Sequence, residues 1–293
     1  MRSKSVIVPF LVSVLLAPAV FALAVALGDG KSGQPVTRIV FAGTVLIEIV
    51  ALTQVLAARR LFHRGDHGYL TWSLVAAFLI VRLIAEFRLL TLTFVVTPPK
   101  PIESASSGMF FYVVVLRYLY TVSDLLFVSA MVTTARAYKS TGLKFNLLQR
   151  DYLYIALVWL MPVATYLLRD NLGLIGIAGP DKYVSTYRLV AVCVGALIVS
   201  LCLVVRRYAV QMGGGAVARV WGTVVAAGTI RAASFLTLAL LSKAWPVWAP
   251  FIEQYLLWIF AGCWLMAALY QREVVPGAAV TAAVDTAGSE APA

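Results

Sequence analysis

Residues 69–95 read YLTWSLVAAFLIVRLIAEFRLLTLTFV, a long apolar run broken from its midpoint onward by Arg82, Glu86 and Arg88. At 1.5 Å per residue a helix of this length crosses a hydrocarbon core of ~30 Å. Lipid offers no partners to backbone N–H and C=O groups, so only helices and closed barrels can span it. A barrel strand alternates apolar and polar residues with period two. The run 69–95 does not alternate, and it reads as a transmembrane helix. Arg82 and Glu86 stand four residues apart, which puts them on one face of that helix.

The same pattern recurs at roughly 5–27, 39–58, 109–134, 152–168, 184–205, 218–242 and 246–270. Over the whole chain 61% of residues are hydrophobic and 13% charged, with a mean hydropathy of +0.90. Soluble domains carry about a quarter charged residues. The expected fold is therefore all-α, a polytopic bundle of eight spans over residues 1–275. Turn residues such as Gly28-Asp29-Gly30, Pro98-Pro99 and Gly179-Pro180 punctuate the connectors, which leave no room for a soluble domain. The Ala/Gly/Ser/Thr-rich segment 276–293 is expected to be a disordered cytoplasmic tail.

The net charge of +11 is placed asymmetrically. With the N-terminus inside, 13 basic residues fall in inner segments, 7 in outer segments and 4 within helices. The positive-inside rule then puts both termini in the cytoplasm, with the plasma or inner membrane as the expected location. The basic excess is a topology signal with some attraction for anionic lipid, and it argues against nucleic acid as a partner. Trp245 and Trp248 outside, and Tyr69, Trp72 and Tyr152 inside, stand where interfacial aromatics belong. The first segment also has features of a signal peptide, whose cleavage would leave seven spans and an outer N-terminus.

Ionisable groups in the hydrocarbon region are costly and normally face the bundle interior in pairs. Here they are Glu48, Glu86, Asp124 and Glu253 against Arg82, Arg88, Arg117 and Arg231. Counting 1.5 Å per residue from the outer ends puts Glu48 roughly 13 Å down, Arg117 roughly 12 Å and Glu253 roughly 10 Å. Arg82, Glu86 and Arg231 rise from the inside to a similar outer-half level. Arg117, Tyr120 and Asp124 form one stripe at i, i+3, i+7, with Asp124 one or two turns deeper. The candidate substrate-binding set is thus Glu48, Arg82, Glu86, Arg117, Tyr120, Asp124, Arg231 and Glu253. Arg88 lies off the Arg82/Glu86 face and is expected to snorkel.

Other features read more plainly. His63, Asp66 and His67 have metal-like spacing, but no cysteine or further histidine completes a set, and the segment reads as a solvated loop. Cys193, Cys202 and Cys263 all lie in apolar segments and are expected to pack as small hydrophobes. Pro162 should kink the fifth helix. The chain contains no nucleotide-binding loop, no HExxH, no Ser/His/Asp set and no mid-helix lysine of the retinal-binding type. No catalytic residue, metal or cofactor is expected.

Val81-Arg82-Leu83-Ile84-Ala85-Glu86-Phe87-Arg88 resembles the Arg-x-x-x-Glu helix of fungal seven-helix membrane proteins, among them the lipid-translocating exporter family. Ile230-Arg231, followed by Phe251-Ile252-Glu253-Gln254-Tyr255, is similar in order to the end of those proteins. Arg231 is followed by Ala, Ser, Phe and Thr, where that family tends to carry a second Arg and a Glu. The resemblance therefore implies lipid handling in general rather than one exporter activity.

The leading expectation is a multi-pass protein that translocates a lipid or other amphipathic small molecule through a charged outer-half site. Its partners would be membrane lipids and an anionic or zwitterionic small molecule. A receptor-like seven-helix sensor is one alternative. A membrane-embedded lipid or isoprenoid enzyme is another, and it would need Glu48, Asp124 or Glu253 as a general acid not neutralised by arginine.

Overall fold

The computed structural model describes residues 3–27, 33–95, 107–143, 146–171, 181–212, 214–241, 245 and 248–289. Among them are eight helices and no strand: α1 (Ser3–Leu27), α2 (Gly33–Arg59), α3 (His67–Val95), α4 (Ser107–Ser140), α5 (Gln149–Asn171), α6 (Asp181–Gln211), α7 (Gly215–Leu241) and α8 (Trp248–Ser289). Among the described residues, seven of them, all but α5, are long and apolar enough to cross a bilayer. The apolar run of α5 includes side chains outside the described set. The chain is an all-α, multi-pass integral membrane protein.

Six helices close a ring. In order of packing neighbours they run α8, α2, α3, α4, α6, α7 and back to α8. α1 lies outside this ring against α2 and α8, and α5 lies outside it against α6 and α7. Both carry long exposed apolar faces, including Leu15 and Leu23 on α1 and Leu153 and Leu160 on α5. In a membrane protein such faces meet lipid tails.

The ring is filled by large side chains. Phe78 of α3, Phe127 of α4 and Phe260 and Trp264 of α8 form an aromatic knot with ring centroids 5.0–6.5 Å apart. Edge-to-face pairs at such separations contribute beyond their buried area. Close approach of α6 and α7 depends on Gly195, where an added Cβ would stand 3.1 Å from the Ala232 backbone. The turn from α6 into α7 uses Gly214 and Gly215 at positive φ, a region that favours glycine.

Two local expectations change. Trp72 is not interfacial but 3% exposed in the core, because its face of α3 looks into the ring. The segment 63–66 is an exposed loop, as its sequence implies, in which Asp66 accepts the His63 amide at 2.9 Å and, as the residue preceding α3, gives its carbonyl to the Leu70 amide. α8 runs on through Pro276 to Ser289, past the point where composition ends the bundle. Alanine, frequent in that stretch, is the strongest helix former. The three cysteines are free thiols, with Cys202 and Cys263 buried among apolar neighbours as their sequence context implies.

Candidate functional site

The charged residues of four ring helices meet at the centre of the bundle. Arg82 of α3 donates from Nε to Glu48 Oε1 of α2 at 2.6 Å, and from Nη2 to Glu86 Oε1 one turn along α3 at 2.8 Å. Glu48 and Arg82 are 0% exposed and Glu86 1%. The guanidinium also lies 4.9 Å from the centroid of the Phe260 ring on α8. A cation desolvated to this degree gains from both its carboxylates and the ring face.

A second pair stands beside the first. Arg231 of α7 donates from Nε and Nη2 to the two carboxylate oxygens of Asp124 on α4, each at 3.4 Å. Those bonds are long for charge-assisted contacts, which usually fall at 2.7–2.9 Å. Phe235, one turn along α7, covers the Arg231 guanidinium at 4.1 Å. Tyr120 joins the two pairs: its ring centroid is 5.8 Å from the guanidinium carbon of Arg82 and 5.8 Å from that of Arg231. Its phenol also interacts with Glu86, and Arg231 acts electrostatically on Glu86.

The centre thus holds Glu48, Arg82, Glu86, Tyr120, Asp124 and Arg231, all six from the candidate set. Asp124, expected one or two turns below the layer, is a full member of it. The reason lies in the helix bounds. Glu48, Arg82, Asp124 and Arg231 each fall close to the midpoint of α2, α3, α4 and α7. The group is buried within the ring of helices. Arg117 and Glu253 are half-buried. Arg117 is seven residues from Asp124 along α4, and Glu253 seven residues from Phe260 along α8, each about 10 Å of axis away.

One opening reaches the centre from the side. Thr121 and Asp124 of α4 with Val190, Ala191 and Val194 of α6 line a small cleft. It has room for about one water molecule. Val190 at its mouth is 48% exposed, so the cleft faces the apolar outer surface of the bundle.

A further ion pair, not anticipated from the sequence, lies at the end of the bundle where α5 begins and α6 ends. Asp151 accepts Arg207 Nη2 at 2.6 Å and the Leu148 amide at 2.9 Å. Burial raises the affinity of its carboxyl for a proton, but the Arg207 hydrogen bond, the amide and the charges of Arg207 and Arg150 outweigh it. The carboxyl is held below its ordinary value of 3.8. Asp151 sits at the third position of α5 and reaches back to the residue before it, the carboxylate half of a capping box. That position was the available signal. Nothing local in the sequence joins it to Arg207.

Among the described residues, no group of three His, Cys, Asp or Glu side chains is placed to hold a metal ion. The geometry instead supports charge recognition: two guanidinium groups and three carboxylates, walled by aromatic rings, with a side opening at Asp124. No protein-family model, no curated protein and no solved structure matches this chain.

Proposed function

We propose that this protein is a membrane carrier without a nucleotide motor, which moves a lipid or another amphipathic small molecule past the Asp124–Arg231 pair. The observation that carries this reading is the α4–α6 cleft, which leads from the lipid-facing surface to a buried carboxylate. An amphiphile in the bilayer meets that mouth without leaving the membrane. Its headgroup would exchange with the slack 3.4 Å contacts, phosphate to Arg231 and amine to Asp124. Admitting a headgroup requires α4 and α6 to part. α4 packs more extensively on α3, and α6 on α7, than the two do on each other, so this seam is the thinner one.

Two further points support the reading. The Arg82-x-x-x-Glu86 resemblance implies lipid handling. A membrane enzyme would want a carboxyl free of arginine, whereas Glu48 and Asp124, two of the three candidate acids, each contact one. With the end bearing Arg59, Arg60, Arg64, Arg136, Arg150 and Arg219 in the cytoplasm, both termini lie there too.

The test uses purified protein in vesicles containing NBD-labelled phosphatidylcholine or phosphatidylserine, with dithionite added outside. Wild-type protein should expose inner-leaflet label to bleaching faster than protein-free vesicles. Asp124→Asn and Arg231→Met should return the rate to that background while inserting normally. Wild-type rates equal to background for both lipids would refute lipid translocation. Variants that fail to insert at all would assign these charges to holding the bundle together.

A further inference from the structure

The buried centre is not electrically balanced. Three carboxylates, Glu48, Glu86 and Asp124, face two guanidinium groups, Arg82 and Arg231, and all five residues are at most 4% exposed. An uncompensated charge in such a place is expensive, and a buried acid commonly escapes the cost by taking a proton. The imbalance is local. Asp124 has Arg231 to itself as its hydrogen-bonded cation, while Glu48 and Glu86 share Arg82. Glu48 Oε2, Glu86 Oε2 and Arg82 Nη1 are buried and make no hydrogen bond. Two carboxyl groups bound to one cation are the arrangement in which one proton is held by the pair rather than by either member.

We propose that Glu48 and Glu86 form a reversible proton-binding site over Arg82. On the carrier reading above, on which this part rests, that proton is the coupling ion. The groups facing the pair are Arg82 from α3 and Tyr120 and Asp124 from α4, with Arg117 further along. α7 brings Arg231, and α8 brings Phe260, with Gln254 and Glu253 further along. With the proton present, the centre is neutral and Arg231 stays on Asp124. Loss of the proton leaves a second negative charge beside Arg82. Arg231 already acts on Glu86, and its 3.4 Å hold on Asp124 is weak, so it is drawn towards Glu86. Asp124, at the floor of the α4–α6 cleft, is thereby released. The proton and the cleft are linked through Arg231, with the Tyr120 ring between the two arginines.

The direct readout is infrared spectroscopy of the full-length protein in lipid nanodiscs, which detects the C=O stretch of a neutral, buried carboxyl. Wild-type protein at neutral pH should show one such band, lost on raising the pH. Glu48→Gln and Glu86→Gln should each abolish it, and Glu253→Gln should leave it in place. Absence of the band in wild-type protein, which needs no variant to fold, overturns the proposal. So does a band that survives in both the Glu48 and Glu86 variants. The vesicle assay separates the two readings. A band that behaves as expected, in a protein that moves neither labelled lipid, keeps the proton site and removes the lipid carrier. Lipid movement without the band does the reverse.

Discussion

Replacing Arg82 by methionine removes the one cation that Glu48 and Glu86 share. Both hydrogen bonds, at 2.6 and 2.8 Å, join groups with essentially no exposure. Breaking a buried pair by deleting one partner costs about 3–5 kcal/mol, because the other charge stays buried and unpaired. Arg82 serves two carboxylates, yet one of these can relax by binding a proton. The expected loss is therefore near the upper end of that range, ~5 kcal/mol, rather than twice it. The same logic makes the loss reversible by neutralisation. Arg82→Met combined with Glu48→Gln and Glu86→Gln leaves no buried charge at this point and should recover most of the stability, since neutral replacements of a buried pair are often close to neutral. The assay is reversible unfolding in bicelles with increasing dodecyl sulfate, followed by tryptophan fluorescence, for wild type, single and triple variants. Equal stability of Arg82→Met and wild type, or a triple variant as unstable as the single one, would refute the reasoning.

Other positions give independent checks. The carboxyl of Asp151 is held below its ordinary value in the folded protein, so its pairing contributes stability above pH 3.8 that is lost as pH falls through the folded value. Acid melting curves should show that loss in wild-type protein and a smaller one in Asp151→Asn. Gly195→Leu places side-chain atoms against the Ala232 backbone, where even a Cβ would stand at 3.1 Å. Such overpacking should cost about 1–3 kcal/mol in the same unfolding assay. Tyr120→Phe keeps the ring that both arginines face, loses only the phenol's contact with Glu86, and should be less destabilised than Tyr120→Ala. Tyr120→Ala removes the ring and should lose about 2 kcal/mol.

How much of this was legible in the sequence depends on the range of the interaction. Helices announced themselves through continuous apolar runs, since lipid leaves the backbone no other choice. The Arg82/Glu86 contact followed from i, i+4 spacing and proved real at 2.8 Å. The shared face of Tyr120 and Asp124 followed from the same periodicity. Pairing between helices did not follow. Arg82 meets Glu48 because α2 packs against α3, and Arg231 meets Asp124 because α4 and α7 both flank α6 in the ring. Neither neighbour relation has a local signature. Phe260 and Phe235, which cover the two arginines, look in the sequence like any other aromatic in a span. Phe235 alone carries a hint, four residues from Arg231.

The carrier reading turns on whether α4 and α6 part at the cleft. Thr121 and Val190 both line it, one on each helix. In a background with Cys193, Cys202 and Cys263 replaced by alanine, Thr121→Cys and Val190→Cys can be joined by a short bifunctional thiol reagent with a reducible bridge. The expected result is that joining the two helices stops the movement of labelled lipid in vesicles, and that reducing the bridge restores it. Lipid movement that continues unchanged in the fully joined protein would contradict transport through this cleft.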